Sequence, residues 1–420
     1  MPPPVGRDRN PRRIFVVTPL PDTVVGGIEE YAFGVASGLT NLGREVRVAT
    51  SQIDNGVLHP PGVAQVQIRT LMLLGRPIPW NPWFIVQLLR EMRQADVIHL
   101  HMPYPGVEAV VGWLAKITNV PLVVTYQMDA LILESSDSPA SMGRFRLVES
   151  LYRRLSSQWP LRAATVVVTS THAYSQQSPV LPEFRNKLRI IHQGVTSSRF
   201  HQGTEERANE LRTMHLEGRF QRMVLFVGRL VPYKGVEYLL HAIPEVDDAD
   251  VVYVIGGKGP EESYLRQLVE DLKLDNVRFA GFVPDSDLFA LFRASDLVVA
   301  PSVSELENTP ITLLGALSVG TPVIGTTAGG TGETVPDDHL HGIIVPPRDV
   351  HAIAAGIIEL LGKKGTVPDP LPPRFWENVA EDYDRLFQEV LRGRQVSLGA
   401  TSPLDDGHLG PHPRADRERT

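Results

Sequence analysis

Short apolar runs alternating with helix-spaced apolar residues recur along this chain in two rounds, and nothing else in the sequence constrains the fold as much. The first round opens with Ile14-Phe15-Val16-Val17, closed by Pro19 and Pro21. After Gly26-Gly27, apolar residues at Ile28, Tyr31, Ala32, Val35, Leu39 and Leu42 step by three and four, which puts one apolar face on a helix. Asn41 and Gly43 stop it, and Val46-Arg47-Val48 alternates as the next strand. Further strands are predicted at 97–100, 122–125, 165–169 and 188–192. Strands that alternate with helices form a parallel sheet covered on both faces. The first half is therefore predicted to be a doubly wound α/β domain.

From Thr196 to Arg222 the pattern lapses into polar, charge-rich sequence, read as a linker with a lead-in helix. The alternation then restarts. Strands are predicted at 223–227, 251–255, 277–279, 297–300 and 322–325, with helices after Gly235 and at 261–272, 287–293 and 311–319. After Gly362 a proline-rich stretch leads to an amphipathic helix at 376–391. The resulting division is a flexible 1–11, an acceptor-side domain 12–195, a linker 196–222, a second domain 223–374, a helix 375–394 crossing back to the first domain, and a disordered 395–420. Two such domains place a ligand cleft between the carboxyl ends of their strands, so motifs are expected in the loops that follow strands.

Bulk properties exclude several chemistries. A chain of 420 residues can hold two or three domains, and a net charge of −7 argues against an electrostatic nucleic-acid partner. With no cysteine there is no thiol nucleophile, disulfide framework or thiolate zinc site. No apolar run approaches the roughly 20 residues of a membrane-spanning helix, and Met1 to Arg13 has no apolar export segment, so the expected location is the cytoplasm.

Gly228-Arg229-Leu230-Val231-Pro232-Tyr233-Lys234-Gly235 follows a strand and opens a helix. Two cations in a glycine-bounded loop at a helix start suit a diphosphate; a solvated turn with two surface cations is the alternative. Gly26-Gly27 would let a backbone approach a phosphate or sugar, or simply form a turn. Gly256-Gly257-Lys258-Gly259-Pro260 reads more simply as a tight strand-to-helix turn. Asp285-Ser286-Asp287 looks like a metal-binding pair, but its place before a helix favours a Ser or Asp cap. In Pro301 to Pro310, acidic residues beside a helix start could accept hydrogen bonds from sugar hydroxyls; a capping role for Glu307 competes with that reading.

As an ordered set these residues resemble family 4 of the retaining GT-B glycosyltransferases, from Ile14 to about Leu391. The matching pieces include Gly26 to Tyr31, Ala95 to His101, Pro121 to Asp129, Val227 to Gly235, Asn276 to Gly281, Pro301 through Pro310 to Ile324, Gly329-Gly330, Gly342 to Pro347 and Arg374-Phe375-Trp376-Glu377. The resemblance implies two Rossmann-like domains facing across a cleft, and transfer of a sugar from a nucleotide-diphosphate donor with retention, with no required metal or cofactor. It assigns Arg229 and Lys234 to the diphosphate and Glu307 to the donor sugar. Gly26, Gly27 and Gly228 would approach the donor, Val283 the base, and Asn308, Thr309, Pro310, Ile311 and Thr312 the sugar and phosphate.

The sequence departs from the family at three places. The family's second glutamate, seven residues beyond the first, falls on Gly315; Gln127 stands where a histidine is usual; Thr196 replaces an aspartate after Gly194-Val195. Gln127 can donate and accept hydrogen bonds but cannot titrate. The acceptor is expected on the first domain, with Trp80, Tyr104 and Asp129 as its candidate contacts and Trp83 in the core. It would be a small molecule or glycan, with composition favouring a natural product. Arg144, Arg146, Arg153, Arg154 and Arg162 suggest peripheral membrane contact at most, a solvated helix face being the simpler reading. The alternative function is a non-catalytic relative that binds a sugar nucleotide or serves a partner protein.

Overall fold

The computed structural model describes residues 12–19, 27–51, 64–68, 71–73, 76–78, 82–104, 106–129, 158–196, 200, 204–304, 307–363 and 368–393. Strand β1 (Arg13–Val17) is buried from Ile14 onward and pairs in parallel with β2 (Glu45–Ser51) and with β6 (Val97–Met102). With β3 (Ala64–Ile68), β7 (Leu122–Tyr126), β8 (Val166–Thr169) and β9 (Leu188–Ile190) they make a parallel sheet in the order β3-β2-β1-β6-β7-β8-β9. β6 and β7 are buried along their whole length, as strands covered on both faces must be. A small antiparallel hairpin joins β4 (Leu71–Leu73) to β5 (Arg76–Ile78).

Helices cover both faces of this sheet. α2 (Pro82–Gln94), α3 (Glu108–Thr118) and α4 (Gln158–Ala163) share one apolar cluster on one side. α2 buries Phe84, Leu88 and Met92, four apart, so Trp83 falls on the opposite face and is 75% exposed instead of packing in the core. The other side is covered by α1 (Gly27–Asn41) and by α13 (Trp376–Leu391), a helix from far along the chain. Gly34 and Gly38 make the close approach possible: a Cβ on Gly34 would meet the Trp376 ring at 2.5 Å, and one on Gly38 would meet Ala380 Cβ at 2.5 Å. Arg44 fastens the pair by donating to both carboxylate oxygens of Asp384, at 2.7 and 2.8 Å.

The second sheet is also wholly parallel, in the order β12-β11-β10-β13-β14-β15. Its strands are β10 (Arg222–Val227), β11 (Val251–Gly256), β12 (Val277–Gly281), β13 (Leu297–Val299), β14 (Val323–Thr326) and β15 (Gly342–Val345). α7 (Val236–Val246), α8 (Glu262–Asp271) and α12 (Val350–Gly362) pack on one face. α6 (Glu205–Leu216), α9 (Asp285–Ala294) and α10 (Ile311–Ser318) pack on the other. The lead-in helix expected within the linker is α6. It belongs to this unit's core through Ala208 and Leu211.

The expected Ser or Asp cap at 285–287 is not what starts α9. The helix begins from Pro284, which has extended backbone and no capping side chain, and Asp287 is instead gripped by Arg207 at 2.8 and 3.0 Å. Among the described residues no helix is long and apolar enough to cross a membrane.

Both sheets reverse their strand order once, between β1 and β6 and between β10 and β13. A crevice forms at such a point, outside the carboxyl ends of the strands, because the loops diverge to opposite faces there. The loops after β10 and β13 are therefore neighbours.

Candidate active site

Lys234 and Glu307 are far apart in sequence but adjacent strands deliver them to the same place. After β10, Gly228 N–H donates to Gly256 O at 3.0 Å and Leu230 N–H to Lys258 O at 3.0 Å, which steers the loop across the strand ends. A short 3-10 turn, Pro232–Lys234, follows. Gly235 then turns into α7 with φ of 65°, and any Cβ there would meet Pro301 O at 2.2 Å. The loop after β13 is tied to it by Val303 N–H donating to Tyr233 O at 2.8 Å.

The Lys234 ammonium and the Glu307 carboxylate form an ion pair, and Ser302 Oγ donates to the same carboxylate oxygen at 3.0 Å. Burial alone would favour neutral lysine; Glu307 outweighs it and holds the ammonium above lysine's usual range. Arg229 stands exposed in the same loop, close enough that its charge opposes that of Lys234. Glu307 does not cap α10, whose N-cap is Pro310 with no side-chain bond.

Asn308 reaches across to the first domain. Its amide nitrogen donates to Gln127 O at 3.0 Å and to Thr169 Oγ1 at 3.2 Å, while Thr171 Oγ1 donates to Asn308 Oδ1 at 3.2 Å. A second tie runs from Ala173 N–H to Oε2 of Glu333, on the short α11 (Thr331–Thr334), at 2.8 Å. The residue beside Glu307 thus joins the ends of β7 and β8 to the second domain. Sequence reading placed Asn308 at the donor but missed Thr169, Thr171 and Glu333, which carry no motif.

Gln127 follows β7 and is buried. Its Nε2 donates to Ile28 O at 3.4 Å and to His101 Nδ1 at 3.0 Å. A carbonyl only accepts, so this contact fixes which way the amide points. Behind it lies a buried polar chain: His99 Nε2 to Thr125 Oγ1 at 2.7 Å, Thr125 Oγ1 to Tyr383 OH at 2.7 Å, and Tyr383 OH to Tyr31 OH at 3.1 Å. Burial pushes His99 down to about 3, and His101 well below the usual histidine range with His99 adding to the effect. Both rings are neutral at ordinary pH. The alternating His99-x-His101 on a buried strand was the sequence signal for this network.

Two expected acceptor contacts are corrected. Tyr104 is 1% exposed and belongs to the core under α2 and α3, so its ring cannot stack on an acceptor. Asp129 is buried and already accepts from Tyr126 OH at 2.7 Å, Tyr174 OH at 2.8 Å and Ser178 Oγ at 3.1 Å. A carboxylate with three internal donors is a structural anchor for β7 and α5 (His172–Gln177). Trp80, Gly26, Arg144, Arg146, Arg153 and Arg154 lie outside the described residues, and Gly27 is the first residue of α1. Val283 packs on Gly256 beside Gly228; Thr309 and Pro310 are buried; Ile311 and Thr312, the first residues of α10, are half-buried. Thr196 donates to Glu30 Oε1 at 3.3 Å, at the first domain's edge.

Gly315 is buried in the middle of α10, and a Cβ there would meet the Phe292 ring at 2.7 Å. The ring of Phe292 fills the space a side chain at this position would need.

Residues 25–199 match the model of Glycosyltransferase Family 4, and residues 209–379 that of Glycosyl transferases group 1. The D-rhamnosyltransferase WbpZ of Pseudomonas aeruginosa is 32% identical over 338 residues, covering 79% of this chain and 82% of that protein. The D-inositol 3-phosphate glycosyltransferase of Mycolicibacterium smegmatis is 29% identical over 386 residues, 84% of each chain. Among solved structures, Anabaena HepE in complex with UDP-glucose superposes with a TM-score of 0.61 at 19% identity, over 90% of this chain and 98% of that one.

Proposed function

The chain belongs to glycosyltransferase family 4, GT-B in fold, and from that premise we propose that it is an active transferase taking its sugar from a nucleoside-diphosphate donor with retention at the anomeric carbon. The observation that carries this reading is the meeting of Lys234 and Glu307 at the strand-order reversal, with Arg229 in the same loop. Arg229 can fork onto phosphate oxygens and Lys234 adds a point charge, so positive charge stands where a departing diphosphate gathers negative charge. The donor's diphosphate would take over Lys234, releasing Glu307 to accept from hydroxyls of the sugar.

In the reaction the bond from the anomeric carbon to the diphosphate oxygen breaks and its electron pair leaves with the diphosphate. The acceptor oxygen bonds to the same face. Gln127 does not titrate and Asp129 is committed to three donors, so the acceptor's proton passes to the departing diphosphate oxygen. We assign no resident cofactor to this chemistry. The ties through Asn308 and Glu333 hold the cleft closed and keep water from the activated sugar.

The acceptor is a hydroxyl of a glycan or small molecule. The inositol-phosphate enzyme, by its name a transferase to a phosphorylated polyol, supports a polyol first. Composition alone supports a natural product. The test is release of nucleoside diphosphate from UDP-, GDP- and dTDP-sugars over a panel of both acceptor types, with calorimetric titration of each nucleotide. One nucleotide should bind and turn over, and Lys234→Ala should lower kcat/KM about a hundred- to a thousand-fold. Binding without release on any acceptor would favour a sugar-nucleotide binder, and no binding at all would favour a non-catalytic partner protein.

A further inference from the structure

Strand register sets a buried histidine against the residue that leaves β7 for the cleft. β6 and β7 pair so that His101 stands opposite Thr125 and Met102 opposite Tyr126. Gln127 is the next residue, and side chains alternate along a strand, so it shares a face with Thr125 and lies diagonally across from His101. Its N–H donates to Met102 O at 3.1 Å, which carries the ladder one step past β7. Its carbonyl accepts from the Asn308 amide at 3.0 Å, in the residue next to Glu307. The main chain of Gln127 is thus held from both sides, where the second domain's ion pair meets the first domain.

The side chain is held as firmly. Ile28 O only accepts, so the amide atom 3.4 Å from it is Nε2, and the same nitrogen lies 3.0 Å from His101 Nδ1. Turning the amide over would set its oxygen against the Ile28 carbonyl. To accept from Gln127, His101 needs a lone pair on Nδ1, so the ring carries its hydrogen on Nε2, a buried atom with no partner among the described residues. An unpaired buried N–H is costly, which marks the Nδ1 contact as the one this tautomer serves. His99 and Tyr31 are the titratable groups against the ring, at 4.2 and 5.7 Å between ring centres. Burial, with His99 adding to it, holds His101 well below the usual histidine range, so Nδ1 keeps its lone pair at ordinary pH. Both hydrogens of the Gln127 amide therefore point into the protein. Its Oε1 accepts from nothing among the described residues and is not sealed from solvent.

We propose that His101 is a positioning residue, fixing the Gln127 amide so that Oε1 presents a preset acceptor to one hydroxyl of the donor sugar. The proposal rests on the reading of the Lys234–Glu307 meeting point as the donor site. The sugar then lies between two acceptors: the Glu307 carboxylate, once the diphosphate holds Lys234, and the Gln127 carbonyl. An amide already locked in place needs no reorientation when the sugar arrives. An acceptor of fixed sense also selects: a sugar with a hydroxyl facing Oε1 is preferred to one deoxygenated there.

The test compares two variants of His101 in the full chain, with whichever of UDP-glucose, GDP-mannose and dTDP-glucose is turned over and with the matching bare nucleoside diphosphate. His101→Phe keeps a ring of similar volume and removes the acceptor. His101→Asn is smaller but offers a side-chain oxygen near the place of Nδ1. His101→Phe should lower kcat/KM for the sugar nucleotide about three- to ten-fold. His101→Asn should recover most of that loss, and both should bind the bare diphosphate as the wild type does. A residue that only fills space would give the opposite order, tracking the melting temperatures. In a Gln127→Ala background His101→Phe should cost nothing further, because it acts through the amide. Unchanged kcat/KM in His101→Phe overturns the proposal, as do a more damaging His101→Asn and additive losses in the double variant; the donor-site reading survives each of these. Absence of all nucleotide binding and turnover overturns that reading and this proposal with it.

Discussion

Acid should unseat α13 from the first domain, and the size of the effect follows from two buried histidines. His99 lies against the rings of Tyr383 and Phe387, and His101 lies against His99 and Tyr31. An unfolded histidine titrates near 6.5, whereas burial pushes His99 down to about 3 and His101 also well down. The folded state therefore refuses protons that the unfolded chain accepts, so stability is complete above 6.5 and falls with pH down to about 3. At about pH 5 the difference is about 2 kcal/mol for His99, and His101, also held well below the usual histidine range, adds to the loss in the same direction. That is a large share of the roughly 5–15 kcal/mol that holds a domain folded. Urea unfolding near neutrality and at about pH 5 should show the loss. A His99→Gln/His101→Gln variant should be less stable at neutral pH yet lose much less on acidification. Hydrogen exchange should place the early opening in α13, because His99 reaches Tyr383 through Thr125. Equal losses for wild type and variant would refute the assignment, since every carboxylate contributes alike to both.

Two further outcomes test the cleft. Asn308→Ala strips Gln127 O and Thr169 Oγ1 of a buried donor, which costs about 1–3 kcal/mol of closure. Small-angle scattering should show a more open chain and kinetics a lower kcat/KM; unchanged scattering and rates would remove Asn308 from the closing contact. Gly315→Glu, which restores a glutamate pair in sequence, should fail to improve donor affinity. Its Cβ collides with Phe292 at 2.7 Å, so thermal unfolding should show about 1–3 kcal/mol of destabilisation; tighter donor binding would refute the steric reading.

The two rounds of strand and helix were legible because parallel strands are nearly pure apolar runs and their helices keep one apolar face. The loop from Gly228 to Gly235 was legible for the same local reason, glycines and cations between a strand and a helix. The contact of Lys234 with Glu307 was not readable from periodicity, because it depends on β13 lying beside β10, and strand order is a property of the whole sheet. Tyr104 and Asp129 misled because residue type says nothing about which partners a fold supplies. Asp129 finds three hydroxyl donors, two of them from a segment beyond Thr171. Trp83 was legible in principle, since Phe84, Leu88 and Met92 mark the buried stripe of α2, but only once the helix itself is recognised.

The position of α13 also sets the order in which the molecule can be finished. Tyr31 and Tyr383 share a hydrogen bond across 352 residues of chain, and Trp376, Val379, Tyr383 and Phe387 complete the apolar layer that covers one face of the first sheet. A ribosome releases that helix only after the whole second unit has been made. Until then α1 has a bare face with two glycines and no partner for them. The first unit to emerge is thus the last to be sealed, and a fragment ending near Val195 should be recovered as an aggregation-prone, partly packed species rather than as an independent domain.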